Sequence, residues 1–125
     1  MKWLLDTHAA LWLVTGSSKF GAKARRKLKD APAEDVAIAD MSLYELALLE
    51  ARGRIRLSSD FLRELAARFT VLPIEAEIAM VAARLALPQG DPFDRAIVAT
   101  ALHHELTLVT VDAAITKSKL VPTLW

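Results

Sequence analysis

Cysteine is absent from the sequence. That excludes disulfides and thiolate metal sites, and it fits a reducing compartment. No apolar run approaches the ~18 residues of a membrane span. Near the start, one Lys and then only Trp3-Leu4-Leu5 precede an acid, too little for the core of a signal peptide. A cytoplasmic protein without a membrane segment is the expectation. Histidine is scarce. His103 and His104 are neighbours and so face different sides of a helix, which leaves no ligand pattern. No Ser/His/Asp arrangement stands out for nucleophilic catalysis, and no hairpin signal such as Asn-Gly occurs.

What is present is an apolar, evenly charged chain. Hydrophobic residues make up 54% of 125, enough for one domain over 1–125 with a core that needs no staples. The net charge of +1 names no partner, but the distribution is uneven. Lys19, Lys23, Arg25, Arg26, Lys27 and Lys29 fall in one stretch without an acid, and Arg52, Arg54 and Arg56 form a second group. Either these are solvated helix faces or they form a rim for phosphates.

Apolar strands alternate with helical stretches. Residues 2–5, 36–39, 69–74 and 106–111 read as strands, and 121–125 as a last one. Asp6-Thr7 caps a helix over 8–15. Ser18 or a neighbour caps a basic helix to about Lys29. Ser42 and Glu45 have the Ser-x-x-Glu spacing of a capping box, opening a helix that stops at Gly53. Ser58-Ser59-Asp60 caps another. Residues 75–87 are helical, and Pro88-Gln89-Gly90 is a loop. Asp91 caps a helix with Pro92 at its first position, running to His103 or His104. This alternation predicts an α/β fold, a three-layer α/β/α sandwich with a parallel central sheet.

Parallel sheets bind ligands beyond the carboxyl ends of their strands. Asp6 follows the first strand and Asp112 the "TLVTV" strand, so both project at one edge. Glu45 and Asp94 lie in the first turns of helices entered near that edge. Each acid also has a plain local reading as a cap, a capping-box partner, a helix-dipole anion or a turn former. Capping explains them one at a time and not their common edge. Converging carboxylates repel unless a cation or protons neutralise them. All-oxygen ligation suits Mg²⁺ or Mn²⁺, whereas Zn²⁺ favours His or Cys.

The stretches "LLDTH" (4–8), "SLYELALLEARGRIRL" (42–57), "GDPFDRAIVATA" (90–101) and "LTLVTVD" (106–112) resemble the motifs of PIN-domain ribonucleases. They are most similar to the VapC-type toxins of type II toxin–antitoxin pairs, and the resemblance spans essentially the whole chain. It implies a PIN-like fold with Asp6, Glu45, Asp94 and Asp112 as catalytic acids holding one or two Mg²⁺ (or Mn²⁺). The ion would activate a water for attack on an RNA phosphodiester, leaving 5′-phosphate and 3′-hydroxyl ends. Asp91 matches a further acid of the "DPFDR" subgroup, a helper or cap. Thr7 and Thr110 flank two acids and are auxiliary candidates. Lys19, Lys23, Arg25, Arg26, Arg52 and Arg54 are the candidates for RNA contact. A VapB-like antitoxin that brings a cationic side chain to the acids, and a homodimer, are the implied protein partners.

The pattern departs from the family at two places. Tyr44 stands where Trp is frequent, and Leu49 where Lys is frequent; Arg52 or Arg54 is the candidate substitute for that Lys. Two rivals belong to other classes. A receiver-type phosphoacceptor domain needs an acidic pair after its first strand and a Lys after the last core strand, where Asp112 stands here. A catalytically silent PIN scaffold would keep the fold without binding the ion.

Overall fold

The strands meet side by side in one direction throughout. In the computed structural model, which describes residues 1–88 and 90–125, these are β1 (Trp3–Leu5), β2 (Val36–Ala39), β3 (Thr70–Leu72), β4 (Thr107–Val109) and β5 (Thr123–Leu124). They form one parallel sheet in the order β3-β2-β1-β4-β5. The helices are α1 (Thr7–Thr15), α2 (Ala22–Leu28), α3 (Asp40–Ala51), α4 (Phe61–Arg68), α5 (Ala76–Arg84), α6 (Pro92–His104) and α7 (Ala113–Ser118). Gln89, part of the expected loop, lies outside the described residues.

Strand side chains alternate between two cores, as a period of two requires. Leu5, Val36, Ile38 and Val109 pack with Ala9, Ala10, Ala24, Leu46 and Leu65 from α1 to α4. Leu4, Ala37, Ala39 and Leu108 face the other way, onto Ile97, Val98 and Ala101 of α6 and Ile115 of α7. Ile78 and Ala82 of α5 pack on Ala99 of α6. Helices therefore cover both faces, giving the expected three-layer α/β/α sandwich. The chain steps from β1 to β2 and β3 on one side, then crosses to β4 and β5 on the other. The strand order thus reverses between β1 and β4, the position where doubly wound sheets bind ligands. Receiver domains have the flavodoxin-like order, with the first strand between the second and third; this sheet does not, and that rival falls.

Four sequence expectations shift. The basic helix starts at Ala22, not near Ser18. Ser17 Oγ instead accepts the Lys19 N–H and the Ser17 carbonyl the Phe20 N–H, each at 3.2 Å, so the chain makes a tight turn that buries Phe20, and Gly21 is extended before the helix begins. The helix expected from Ser42 begins at Asp40, after Ala39, which places Ser42 and Glu45 inside it. The helix expected over 75–87 ends at Arg84 because the Arg95 guanidinium takes the carbonyls of Ala82, Leu85 and Leu87 at 3.2, 2.9 and 3.2 Å. Asp112 opens a helix, α7, where a turn was the local expectation. Among the described residues, no helix is long and apolar enough to cross a membrane.

Gly21 closes the packing around Trp125. A Cβ at residue 21 would stand 2.6 Å from the Trp125 carbonyl carbon and 2.7 Å from its indole. Gly21→Ala is expected to lower stability by about 1–3 kcal/mol through overpacking, measured as a lower urea midpoint. An unchanged midpoint would show that the Trp125 seat gives way freely.

Candidate active site

Asp6 is the first residue past β1. Its N–H donates to the Val109 carbonyl at 3.1 Å, continuing the β1–β4 pairing, and its Oδ1 accepts the Ala9 N–H at 2.8 Å as the cap of α1. Asp112 follows β4 and caps α7, accepting the Ile115 N–H at 2.9 Å. The local cap readings hold for both acids, yet capping leaves them side by side at the switch point. Asp91 caps α6 through the N–H groups of Phe93 and Asp94, at 2.8 and 3.4 Å. Pro92 sits at the first helical position, and six consecutive residues from Ala96 to Ala101 are buried. A helix buried this deeply gives Asp94, two residues upstream, a rigid base.

Glu45 arrives by a route that the capping-box reading misses. Ser42 is fully buried and bonded to Thr7 Oγ1 at 3.1 Å, and the Glu45 carboxylate is hydrogen-bonded to the same Thr7 hydroxyl. Both side chains turn toward α1, and neither closes on the start of α3. Thr7 thus ties the helix after β1 to the helix after β2. Thr110 Oγ1 accepts the Asp112 N–H at 3.0 Å and its hydroxyl lies against Asp6. Arg95 follows Asp94 directly, but its guanidinium is committed to the three carbonyls at the end of α5 and leaves Asp94 without a cation.

Asp6, Thr7, Glu45, Asp91, Asp94 and Asp112 line one pocket of about 330 Å³ together with His8, Trp12 and Val111. Burial and mutual repulsion act on its carboxyls. Asp94 is pushed up to about 7, first by burial and then by Asp91, Asp112, Glu45 and Asp6. Glu45 is raised by burial, with Asp91 and Asp6 adding to the effect and Thr7 opposing it. Burial also raises Asp6, against hydrogen bonds from Thr110 and Ala9. The positive end of α6 favours an anion at Asp94, and burial together with repulsion outweighs it. Among the described residues, no three His, Asp or Glu side chains close on one point as a ready-made metal cage. The fit to a hard divalent cation therefore lies in donor chemistry and charge: carboxylate oxygens, and an excess of negative charge that needs an ion or protons.

The basic candidates divide. Lys19 Nζ lies 5.8 Å above the Trp12 ring, beside the pocket. Lys23 lines a neighbouring cleft. Arg25 is engaged with the Ser17 carbonyl at 2.8 Å and the Phe20 ring, and Arg26 is exposed. Arg52 and Arg54 lie beyond the far end of α3, about 10 Å of helix rise or more from Glu45, and neither lines the pocket. Tyr44 is exposed and stacks edge-on against Phe93 across the doorway of α6. Sequence reasoning missed Trp12 and Val111. Trp12 lies four residues after His8, on the same side of α1, and Val111 alternates with Thr110 out of the sheet edge.

An α/β protein with carboxylates gathered at its switch point is the class that this geometry defines. A sequence model of the PIN domain matches residues 3–119, and the chain belongs to the PIN domain family. It is 36% identical to ribonuclease VapC22 of Mycobacterium tuberculosis over 115 residues, 87% of this chain and 85% of that protein. The fold is similar to that of FitAcB from Neisseria gonorrhoeae, with a TM-score of 0.71 at 21% identity over 98% of this chain and 96% of that one. A toxin–antitoxin complex from Klebsiella pneumoniae gives a TM-score of 0.69 at 22% identity over 96% and 95% of the two chains.

The raised Asp94 carboxyl has a stability consequence. The folded protein holds this proton up to about pH 7, whereas the unfolded chain loses it near 4. Stability is therefore lost as pH rises from about 4 to about 7 and is flat above. In EDTA, Asp94→Asn is expected to stabilise the protein at pH 8 by about 1–2 kcal/mol, after discounting for solvent at this half-buried site, with the gain fading toward pH 4. Melting temperatures across that range check it; a gain independent of pH would contradict the repulsion.

Proposed function

We propose that this protein is a divalent-metal-dependent endoribonuclease and the toxin of a type II toxin–antitoxin pair, acting in the cytoplasm as one PIN domain over residues 1–125. The observation that carries the chemistry is the gathering of Asp6, Glu45, Asp94 and Asp112 from four distant parts of the chain into one pocket. The relative named ribonuclease VapC22 supports RNA as the substrate. The Klebsiella pneumoniae complex, named a toxin–antitoxin complex, supports a VapB-like antitoxin as partner. Exposed apolar side chains such as Tyr44, Met80 and Val81 leave surface for that partner and for a second copy in a homodimer.

Asp6, Glu45, Asp94 and Asp112 would hold Mg²⁺ or Mn²⁺. When bound, the ion supplies Lewis acidity and a deprotonated water for an in-line displacement at phosphorus. The chain's own residues do the positioning. Thr7 orients Glu45, Thr110 orients Asp6, and the cap made by Asp91 starts α6 where Asp94 must stand. Arg95 fastens the end of α5 to α6, so the doorway cannot drift from the sheet. Lys19 and Lys23 stand where the phosphates of an approaching strand would pass.

The test is cleavage of a mixed RNA pool by the purified chain, free of antitoxin, with Mg²⁺ or Mn²⁺, with EDTA, and with Asp94→Asn in parallel. Cutting is expected to require the metal and to fall by about 100-fold or more in the variant. Undiminished cutting in EDTA or by Asp94→Asn overturns the site. A folded protein that cuts nothing points to the silent scaffold.

A further inference from the structure

A second cleft adjoins the acid pocket. Val111, 54% exposed, lines both cavities and is the side chain between them. The second, of about 410 Å³, is lined by Ala22, Lys23, Thr116, Thr123 and Trp125 among others, and its volume falls in the range of small-ligand sites. Its chemistry differs from that of the acid pocket, because no Asp or Glu side chain lines it.

We propose that this cleft is a nucleotide subsite, in which one unpaired base next to the phosphate at the acid pocket stacks on Trp125 while Lys23 meets its phosphate. This rests on the ribonuclease reading above and adds to it where the strand runs and what it must look like. Trp125 is a prepared platform. Its indole stands edge-on to Trp12 and Phe20, with ring centroids 5.8 and 5.5 Å away, and packs on Gly21. Its carbonyl accepts the Ala24 N–H at 3.0 Å. A ring already held loses little freedom when a base lies on it, and every base has a face to stack. Thr116 donates its hydroxyl proton to the Asp112 carbonyl at 2.8 Å, so its oxygen offers an acceptor to a base edge. Lys23 is the cation of the cleft: it lines the same cavity as Trp125 and does not line the acid pocket. A base seated there has left its helical stack, so the substrate is single-stranded or looped where it is cut.

Thr116 is exposed on α7, so Thr116→Phe fills the cleft from outside the core, and Lys23→Ala removes its cation. With a single-stranded RNA that the wild type cuts, each is expected to raise KM about tenfold with kcat little changed. Arg84→Ala, which lines neither cavity, leaves both constants alone. Melting temperatures identify a misfolded Thr116→Phe, and the exposed Lys23→Ala then carries the comparison. In parallel, Asp94→Asn protein is photocrosslinked to the same RNA bearing 4-thiouridine beside the cut. Crosslinks mapping to Val111, Lys23 or Trp125 support the subsite. Unchanged KM in Lys23→Ala, or crosslinks only on α3 and α4, overturns it, leaves the ribonuclease reading standing and assigns the cleft to a protein partner. Wild-type protein that neither cuts nor binds RNA overturns both.

Discussion

One hydrogen bond sets the geometry of everything functional here: the Asp6 N–H to the Val109 carbonyl. It extends the parallel pairing of β1 and β4 by one residue beyond Leu5 and Val109. The two strands are far apart in sequence and adjacent in space, and the chain leaves them toward opposite sides of the sheet. The gap opened by that divergence is where Asp6 and Asp112 stand. The remaining acids are brought to the same gap by helices packed on opposite faces, α3 through the first core and α6 through the second. The sheet therefore acts as a ruler, and the helices deliver side chains to a mark on it.

The charge arrangement works against folding at this spot, and the surrounding structure holds it. Thr7, Thr110 and three helix N-termini contribute hydrogen bonds to the carboxylates or to the turns beside them. Arg95, the residue after Asp94, turns its guanidinium to backbone carbonyls and does not pair with Asp94. Carboxylates left without internal compensation are a mark of a site built for an outside charge. The anchors rest on the same elements that form the core, so the tension at the pocket is borne by well-packed residues and not by a loose loop.

Much of this was legible in the residues. Asp91-Pro92 announced the start of α6 because capping and proline geometry are local effects that tertiary contacts rarely override. The acids after β1 and β4 were placed by chain direction alone. Other features depended on contacts between distant segments. The Ser-x-x-Glu spacing at 42–45 satisfied a local rule, but Thr7 from another helix won both side chains. The start of α2 was decided by Phe20 and Trp125, and the end of α5 by Arg95, eleven residues beyond it. The cleft beyond Val111 could not be read at all, since β5, α2 and α7 meet only in the fold.

The double duty of Asp6, Asp91 and Asp112 as caps has a consequence for how such a gene can change. Asparagine caps a helix about as well as aspartate, and the codons of the two differ by one base. At each of these positions a single nucleotide step removes the charge and keeps the turn. On the proposed reading, in which Asp6 and Asp112 hold the ion, a folded descendant with a weakened site therefore lies one mutation away at those two places, and at Asp91 the same step thins the charge around Asp94 while α6 keeps its cap.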